Sequence, residues 1–457
     1  MDINSQQKLA QSLYDGIFSM LTDAPAGQEA IRSVDNTFLT LQKPGLRLNS
    51  RDFVNPWSPG NTSGNQSATR TFARMVNAIP QIGVLHRTSG DAADIYGSLI
   101  LNPQIVPPPP DPALEKAYNE AKTFLTPEVT VTDEDTGETK KKVVESPVYK
   151  EYKAKKQAYD LSRATFVDQF TKAQATQEGR ETWPLKAPIF QAAVSDAYDT
   201  LIAAEKVKVE DALAKMEFAS NNQVGRAFDD AVKLFKSYEA KLDGDTIYRC
   251  RALPSDWYDS TAAGDWPEMS FSSDQLVINQ HSEYSKFSAG GGFNAGLWSV
   301  GASASSTTET YHMDTETNNL SVKFKYQLVT IDRPWMREFL FKLPGWSLGA
   351  NFPPGKVSNG TKQNQGSSLM PLISESFVVI RDLEIKAHWG KTDLDQIKKS
   401  VSGGGSVGFL CFSLSGGYSH SSSSSTYKAK FEDGVIKASG LQIIGWVNNI
   451  IPFSAPR

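Results

Sequence analysis

Residues Ser400–Tyr427 read SVSGGGSVGFLCFSLSGGYSHSSSSSTY, without a single Asp, Glu, Lys or Arg, in a chain of which 21% is charged. A second stretch, Phe287–Thr308, reads FSAGGGFNAGLWSVGASASSTT and is equally free of formal charge. The triple glycines Gly290, Gly291, Gly292 and Gly403, Gly404, Gly405 align between the two. Each tract follows an apolar run, QLVINQ or SFVVIRD, and each leads through Ser and Thr into a strand-like segment, LSVKFKYQLVTI or TYKAKFEDGVIKASGLQIIGWV. The economical description is a two-copy repeat with units at about 275–334 and 375–452 and a period of roughly a hundred residues.

Within each tract the apolar residues alternate and then change phase. Phe287, Ala289, Phe293, Ala295 and Leu297 share one face, and Trp298, Val300, Ala302 and Ala304 continue on the other. Val401, Val407 and Phe409 are followed in the same way by Phe412, Leu414 and Tyr418. A change of phase in mid-strand marks a reversal or a bulge. Each tract is therefore expected to form a hairpin of two strands.

A strand crosses a bilayer core in about 9–11 residues, so either tract is long enough for two crossings. Lipid accepts strands only as closed barrels, which makes a homo-oligomer part of this expectation. Phe293, Leu297, Trp298 and Val300 of the first tract, with Val407, Phe409, Leu410, Phe412 and Leu414 of the second, are the candidate lipid-facing or intersubunit contacts. The six aligned glycines are candidate hinges or points of close backbone approach. In texture the tracts resemble the Ser/Thr/Gly-rich insertion regions of β-pore-forming toxins of the aerolysin and perforin-like kinds. The resemblance covers the tracts and their flanking strands and implies a toxin-like, membrane-inserting function with a target membrane as partner. It carries over no individual functional residue. Neutral strands also arise where a sheet is buried on both faces or lies between subunits. The alternative is a self-assembling structural protein, a particle, filament or tube subunit that uses the same tracts as intersubunit β contacts.

The rest of the chain predicts an α+β fold. Residues 1–106 read as short helices and loop, with Leu9, Leu13, Ile17, Phe18 and Leu21 at helical spacing and Phe72, Met75, Val76 and Ile79 repeating it. After VPPPPDP, in which Asp111 caps a helix starting at Pro112, residues 107–244 read as long helices. Tyr152, Tyr159, Phe166 and Ala173 fall at heptad spacing, with Phe170 between, as in a coiled-coil-like arm or a compact bundle. A second helix carries Val194, Tyr198, Leu201, Ile202, Leu213 and Met216, and a third carries Val224, Phe228, Val232, Phe235, Tyr238 and Leu242. EVTVTDEDTGETKKKVVE is expected to form a polar hairpin. From residue 245 to 457 the period becomes two: Val322, Phe324, Tyr326 and Leu328, then Leu383, Ile385, Ala387 and Trp389, alternate with polar residues as in antiparallel, half-buried strands.

Chemistry-bearing patterns are sparse. Gly403, Gly405 and Gly408 satisfy G-x-G-x-x-G, and Gly404, Ser406 and Gly408 satisfy G-x-S-x-G, but the expected local order is helix before and strand after, the reverse of what either motif needs. His86, His281, His312, His388 and His420 have no ligand spacing, and Asp133, Glu134 and Asp135 lack the calcium-loop pattern. Cys250 and Cys411 stand far apart in unlike contexts. A formal charge of -4 does not suggest a nucleic-acid partner. No enzyme activity, cofactor or metal is expected. The stretch MDINSQQKLAQSLYDGIFSML lacks the features of a secretory leader, so a cytoplasmic site, with any release by a leaderless route, is the expectation.

Overall fold

The structure, a computed structural model, describes residues 1–22, 37–105, 112–132, 139–174, 176–218, 223–259, 266–274, 276, 284, 296–302, 308–362, 368–402, 405–421 and 425–455. The class is mixed α+β. Its centre is an eight-stranded sheet in which β1 (Thr37–Leu48), β2 (Glu268–Ser272), β3 (Asn318–Asp332), β4 (Leu372–His388) and β5 (Leu441–Ile450) run in the order β1-β5-β4-β3-β2, every pairing antiparallel.

The period-two residues do what their alternation requires. Val322 and Phe324 of β3 and Leu383, Ile385 and Ala387 of β4 point into the core, while Glu384, Lys386 and His388 face out. The first half of β4 carries no such alternation because it is covered on both faces: Val378 and Ile380 join one apolar cluster, Phe377 and Val379 another. The change between the two regimes falls near Asp382, at φ 53°, beside the register shift opposite Lys323–Lys325. The bulge there lets one strand serve two environments.

Helix α1 (Ile3–Thr22) buries Leu9, Leu13, Ile17 and Leu21 on the sheet, together with Ala10, Tyr14 and Phe18. The Tyr14 hydroxyl donates to the Leu39 carbonyl at 2.9 Å, which fixes the helix against β1. β1 itself departs from the expected helix and loop of residues 1–106. Its TFLTL run is buried on both sides and so lacks a period, and Lys43, Pro44 and Gly45 interrupt it. The strand accommodates that interruption by shifting register against β5 between Leu41 and Leu46.

In the helical zone α2 (Pro112–Leu125) starts at the expected proline. The polar hairpin forms, Glu128–Thr132 pairing with Thr139–Val143; its turn, with Asp133, Glu134 and Asp135, lies outside the described residues. Helix α3 (Pro147–Gln174) packs on α4 (Gln177–Ala203) through Phe166 and Trp183, ring centroids 5.7 Å apart, and through Tyr159 and Tyr198 at 5.3 Å. The Phe170 side chain lies outside the described residues. The expected second helix is two, α4 and α5 (Lys206–Phe218), divided at Glu205 with φ 57°. The expected third helix, α6 (Gln223–Ser237), stops early because Asp243-Gly244, both at positive φ, turn Glu239–Leu242 back on Asp245–Tyr248. Arg163 of α3 pairs with Asp332 at 2.8 Å and Gln191 of α4 donates to Asp256 at 2.8 Å, so this zone is tied to the end of β3 and to the segment that precedes β2.

Candidate functional site

The two neutral tracts meet in a five-stranded sheet of their own. β6 (Trp298–Ala302) of the first pairs antiparallel with β7 (Gly405–Phe409) of the second, setting Trp298 opposite Phe409, Ser299 opposite Gly408 and Val300 opposite Val407. β8 (Phe412–Gly417) and β9 (Thr426–Lys428) continue beyond β7, and Thr308–Tyr311 pairs with β6 on the other side. The phase change in the second tract is a reversal: Leu410, at φ 53°, and Cys411 turn the chain so that Phe409 faces Phe412. Phe293, Gly290, Gly291, Gly292, Gly403 and Gly404 lie outside the described residues. Gly405 is a point of close approach, since a Cβ there would come 3.0 Å from the Gly301 carbonyl.

Alternation gives this sheet two unlike faces. Trp298, Val407, Phe409, Phe412 and Leu414 form one, joined by Leu297 and Leu410, and all are buried in the cluster that includes α1 and the main sheet. Val300 is partly buried against the same cluster. The sequence reading put these side chains against lipid or a neighbouring subunit. In the folded chain they need neither, because the main sheet supplies a facing apolar surface: Phe324 meets Phe412 at 5.5 Å, and Trp298 lies 4.9 Å from Phe409. Helix α7 (Lys391–Ser402), which leads directly into the second tract, adds a polar anchor to the first. Its fully buried Asp393 accepts the Trp298 indole N–H at 2.7 Å, the Thr317 hydroxyl and the Asp314 N–H. Burial pushes the Asp393 carboxyl above the usual carboxylate range.

The other face is made of Ser299, Ser406, Gly408 and Ser413, and it is covered by the irregular middle of β1. The Lys43 ammonium donates to the Gly296 carbonyl of the first tract at 2.6 Å. Arg47 grips the second: Nε donates to Gly417 O at 2.7 Å, and Nη1 to Ser406 Oγ at 2.8 Å, Ser413 Oγ at 2.9 Å and Ser415 O at 3.3 Å. The Ser413 hydroxyl donates in turn to Gly45 O at 2.7 Å, and the Ser419 N–H to Arg47 O at 2.8 Å. Every one of these acceptors is neutral. Burial lowers the Lys43 amine to about 8 and pulls the Arg47 guanidinium down as well. We call this segment, Lys43–Arg47, the clasp.

No family model, curated protein or solved structure matches the chain. The clasp and the two-faced sheet are therefore read on their own geometry. Among the described residues no group of three or more His, Cys, Asp and Glu can hold a metal ion. Ser406, the centre of the G-x-S-x-G match, lies in a strand and takes the Arg47 N–H. Sequence reasoning found the tracts but missed Lys43 and Arg47, whose only signal is a pair of charges within TFLTLQKPGLRL.

The clasp seats closely enough to be tested at one glycine. A Cβ on Gly408 would lie 2.5 Å from Pro44 Cβ and 2.7 Å from Ser299 Oγ. Gly408→Ala is expected to lower the unfolding free energy by about 1–3 kcal/mol through overpacking, measured by urea denaturation. A neutral effect would mean that Pro44 does not rest on β7.

Proposed function

We propose that the chain is a non-enzymatic, oligomer-forming protein that stores its two neutral tracts in its folded monomer and inserts each as a hairpin into a membrane once the clasp lets go. One observation carries this reading. The tracts lie side by side in one sheet whose apolar face is covered by an apolar core but whose Ser/Gly face is covered by a polar clasp. Lifting Lys43–Arg47 uncovers little apolar surface on that face, where the sheet is held by hydrogen bonds that water can replace, while insertion also requires the apolar face to leave the core. In a barrel the apolar face would meet lipid and the Ser/Gly face a wet lumen. The strands as folded are shorter than the roughly 9–11 residues a bilayer needs, so insertion lengthens each hairpin into its neutral flanks. We further read the two tracts with their flanking strands as a duplicated unit and α3–α4 as a coiled-coil-like arm.

A second reading, a self-assembling scaffold protein, is favoured by a different observation. Leu161, Leu185, Ile189 and Val207 on α3, α4 and α5 are each at least 66% exposed, an unusual set of large apolar side chains for a surface left to water.

The two readings part in one experiment on a Cys250→Ser variant, whose remaining thiol, Cys411, sits fully buried at the β7–β8 turn. Liposomes are loaded with a fluorescent dye, or with a membrane-impermeant maleimide. The membrane reading expects dye release, and Cys411 labelled from inside the vesicle, where an inserted hairpin presents its turn. No release and an unlabelled thiol, with regular particles in negative stain without lipid, overturns it in favour of the scaffold.

A further inference from the structure

The helical hairpin of α3 and α4 has two outer faces as well as an inner one. Inside, Phe166 of α3 is buried with Trp183, Ala187 and Val194 of α4. Leu161 stands two residues from Tyr159 of the inner row, and Ile189 two residues from Ala187, which turns each roughly 200° away from the other helix. On the outside of α3 Leu161 is 66% exposed, and on the outside of α4 Leu185 and Ile189 are 67% and 69% exposed. The ties of Arg163 to Asp332 and of Gln191 to Asp256 engage a third side of the hairpin, so the outer faces look in opposite directions, one on each flank.

The two faces differ in charge. The outside of α3 carries exposed Lys150 near its start and Lys172 near its end, whereas the outside of α4 carries exposed Glu178 near its start and Asp196 and Asp199 towards its end. The helices run antiparallel across the short connection between Gln174 and Gln177, so residues equally far from that connection stand nearly level. Lys172 is then level with Glu178, Leu161 with Ile189, Ala158 with Ala192, and Lys150 with Asp199. The same levels hold between neighbours when a second hairpin is laid beside the first at the same height. The outside of α4 in one copy then lies along the outside of α3 in the next: opposite charges meet at both ends, the large apolar side chains meet in the middle, and the paired alanines let the helices approach closely. Of the other exposed charges, Lys186 comes level with Thr165 and Glu151 with Thr200, so neither meets its like. Neither face fits a copy of itself. Two α3 faces paired antiparallel about Leu161 set Lys150 against Lys172, and two α4 faces paired about Ile189 set Glu178 beside Asp199.

We infer that the hairpin is the head-to-tail contact of the oligomer: the outside of α4 in one copy docks on the outside of α3 in a second copy, with Leu185 and Ile189 against Leu161 between oppositely charged ends. This rests on the reading of the chain as oligomer-forming and names the surface that forms the oligomer. A contact between unlike faces leaves one face of each kind open at every step, so the assembly closes as a ring or continues as a filament.

The test is sedimentation velocity of the full chain over a concentration series, in solution and after extraction from liposomes, for wild type, Leu161→Glu and Ile189→Glu. Where wild type assembles, each variant alone is expected to lose association by about thirtyfold or more, because each carries a charge at the centre of one face. Mixed in equal amounts the two are expected to form dimers of one copy each and nothing larger, since the sound α4 face of Leu161→Glu fits the sound α3 face of Ile189→Glu. If either variant fails to fold, Lys150→Glu and Asp199→Lys take their place, with weakened association alone and dimers on mixing. A variant that assembles as strongly as wild type, or a mixture no larger than its parts, overturns the contact and leaves the oligomer to other surfaces. A wild type that stays monomeric under both conditions overturns the contact and the oligomeric reading together.

Discussion

Phe409→Asp and Trp298→Lys yield no folded monomer: this is the largest effect expected of any substitution here. Both side chains are fully buried, packed on each other at 4.9 Å, and Trp389 lies within 6.2 Å of each. Removing a buried aromatic costs about 3–5 kcal/mol before any charge is considered. An ionised group placed in that apolar site adds several kcal/mol more unless it is neutralised or moves out. Together these reach the roughly 5–15 kcal/mol that holds a whole domain together. Size-exclusion elution and the thermal unfolding transition check this, and a cooperative transition at the wild-type temperature would show that the two rings do not form the core. The result bears on any membrane assay. Loss of dye release by these variants reports an unfolded monomer, not a lost lipid contact, which is why the wild-type tract and the thiol at its turn carry the test.

Arg47→Met is expected to lower the unfolding free energy by about 2–4 kcal/mol. The substitution keeps an apolar stem of similar reach but removes the donors on Nε and Nη1 that hold Ser406, Ser413, Ser415 and Gly417. Hydrogen bonds from an ionised donor contribute about 1.5–3 kcal/mol each, and part of that is returned because a half-buried guanidinium no longer has to be desolvated. Arg47→Lys should recover only a fraction, since one ammonium cannot reproduce a fork aimed at four strand positions. Urea titration measures the loss, and hydrogen exchange across residues 405–417 locates it. A change below about 0.5 kcal/mol, within the range of ordinary surface substitutions, would show that Arg47 does not hold the second tract.

How far the sequence carried can be read from particular residues. The α+β class, the inward alternation of Val322, Phe324, Leu383 and Ile385, the polar hairpin at 128–143 and the reversal after Phe409 all rest on short-range signals, and all of them formed. The covering of the tracts was not legible. A strand with one apolar and one Ser/Gly face reads the same whether its second face meets a lumen, a neighbour or another part of its own chain. The part that covers it, Lys43–Arg47, lies some 250–370 residues away from the groups it holds. β1 was hidden for a related reason: burial on both sides erases alternation, and Pro44-Gly45 imitates a loop. The Asp243-Gly244 turn that ends the third helix was a legible signal passed over.

The partnership of β1 with β5 sets an order of events at the ribosome. Thr37 pairs with Asn449, and Leu48 with Leu441, so the strand bearing Lys43 and Arg47 has no seat in the sheet until residues 441–450 have emerged. At about 5–20 residues per second, roughly 20–80 s separate the synthesis of the two. For about the last third of that interval the nascent chain carries its first neutral tract, and towards the end both, while the strand that shields them is still unseated, which makes this protein a demanding client for whatever chaperone meets it.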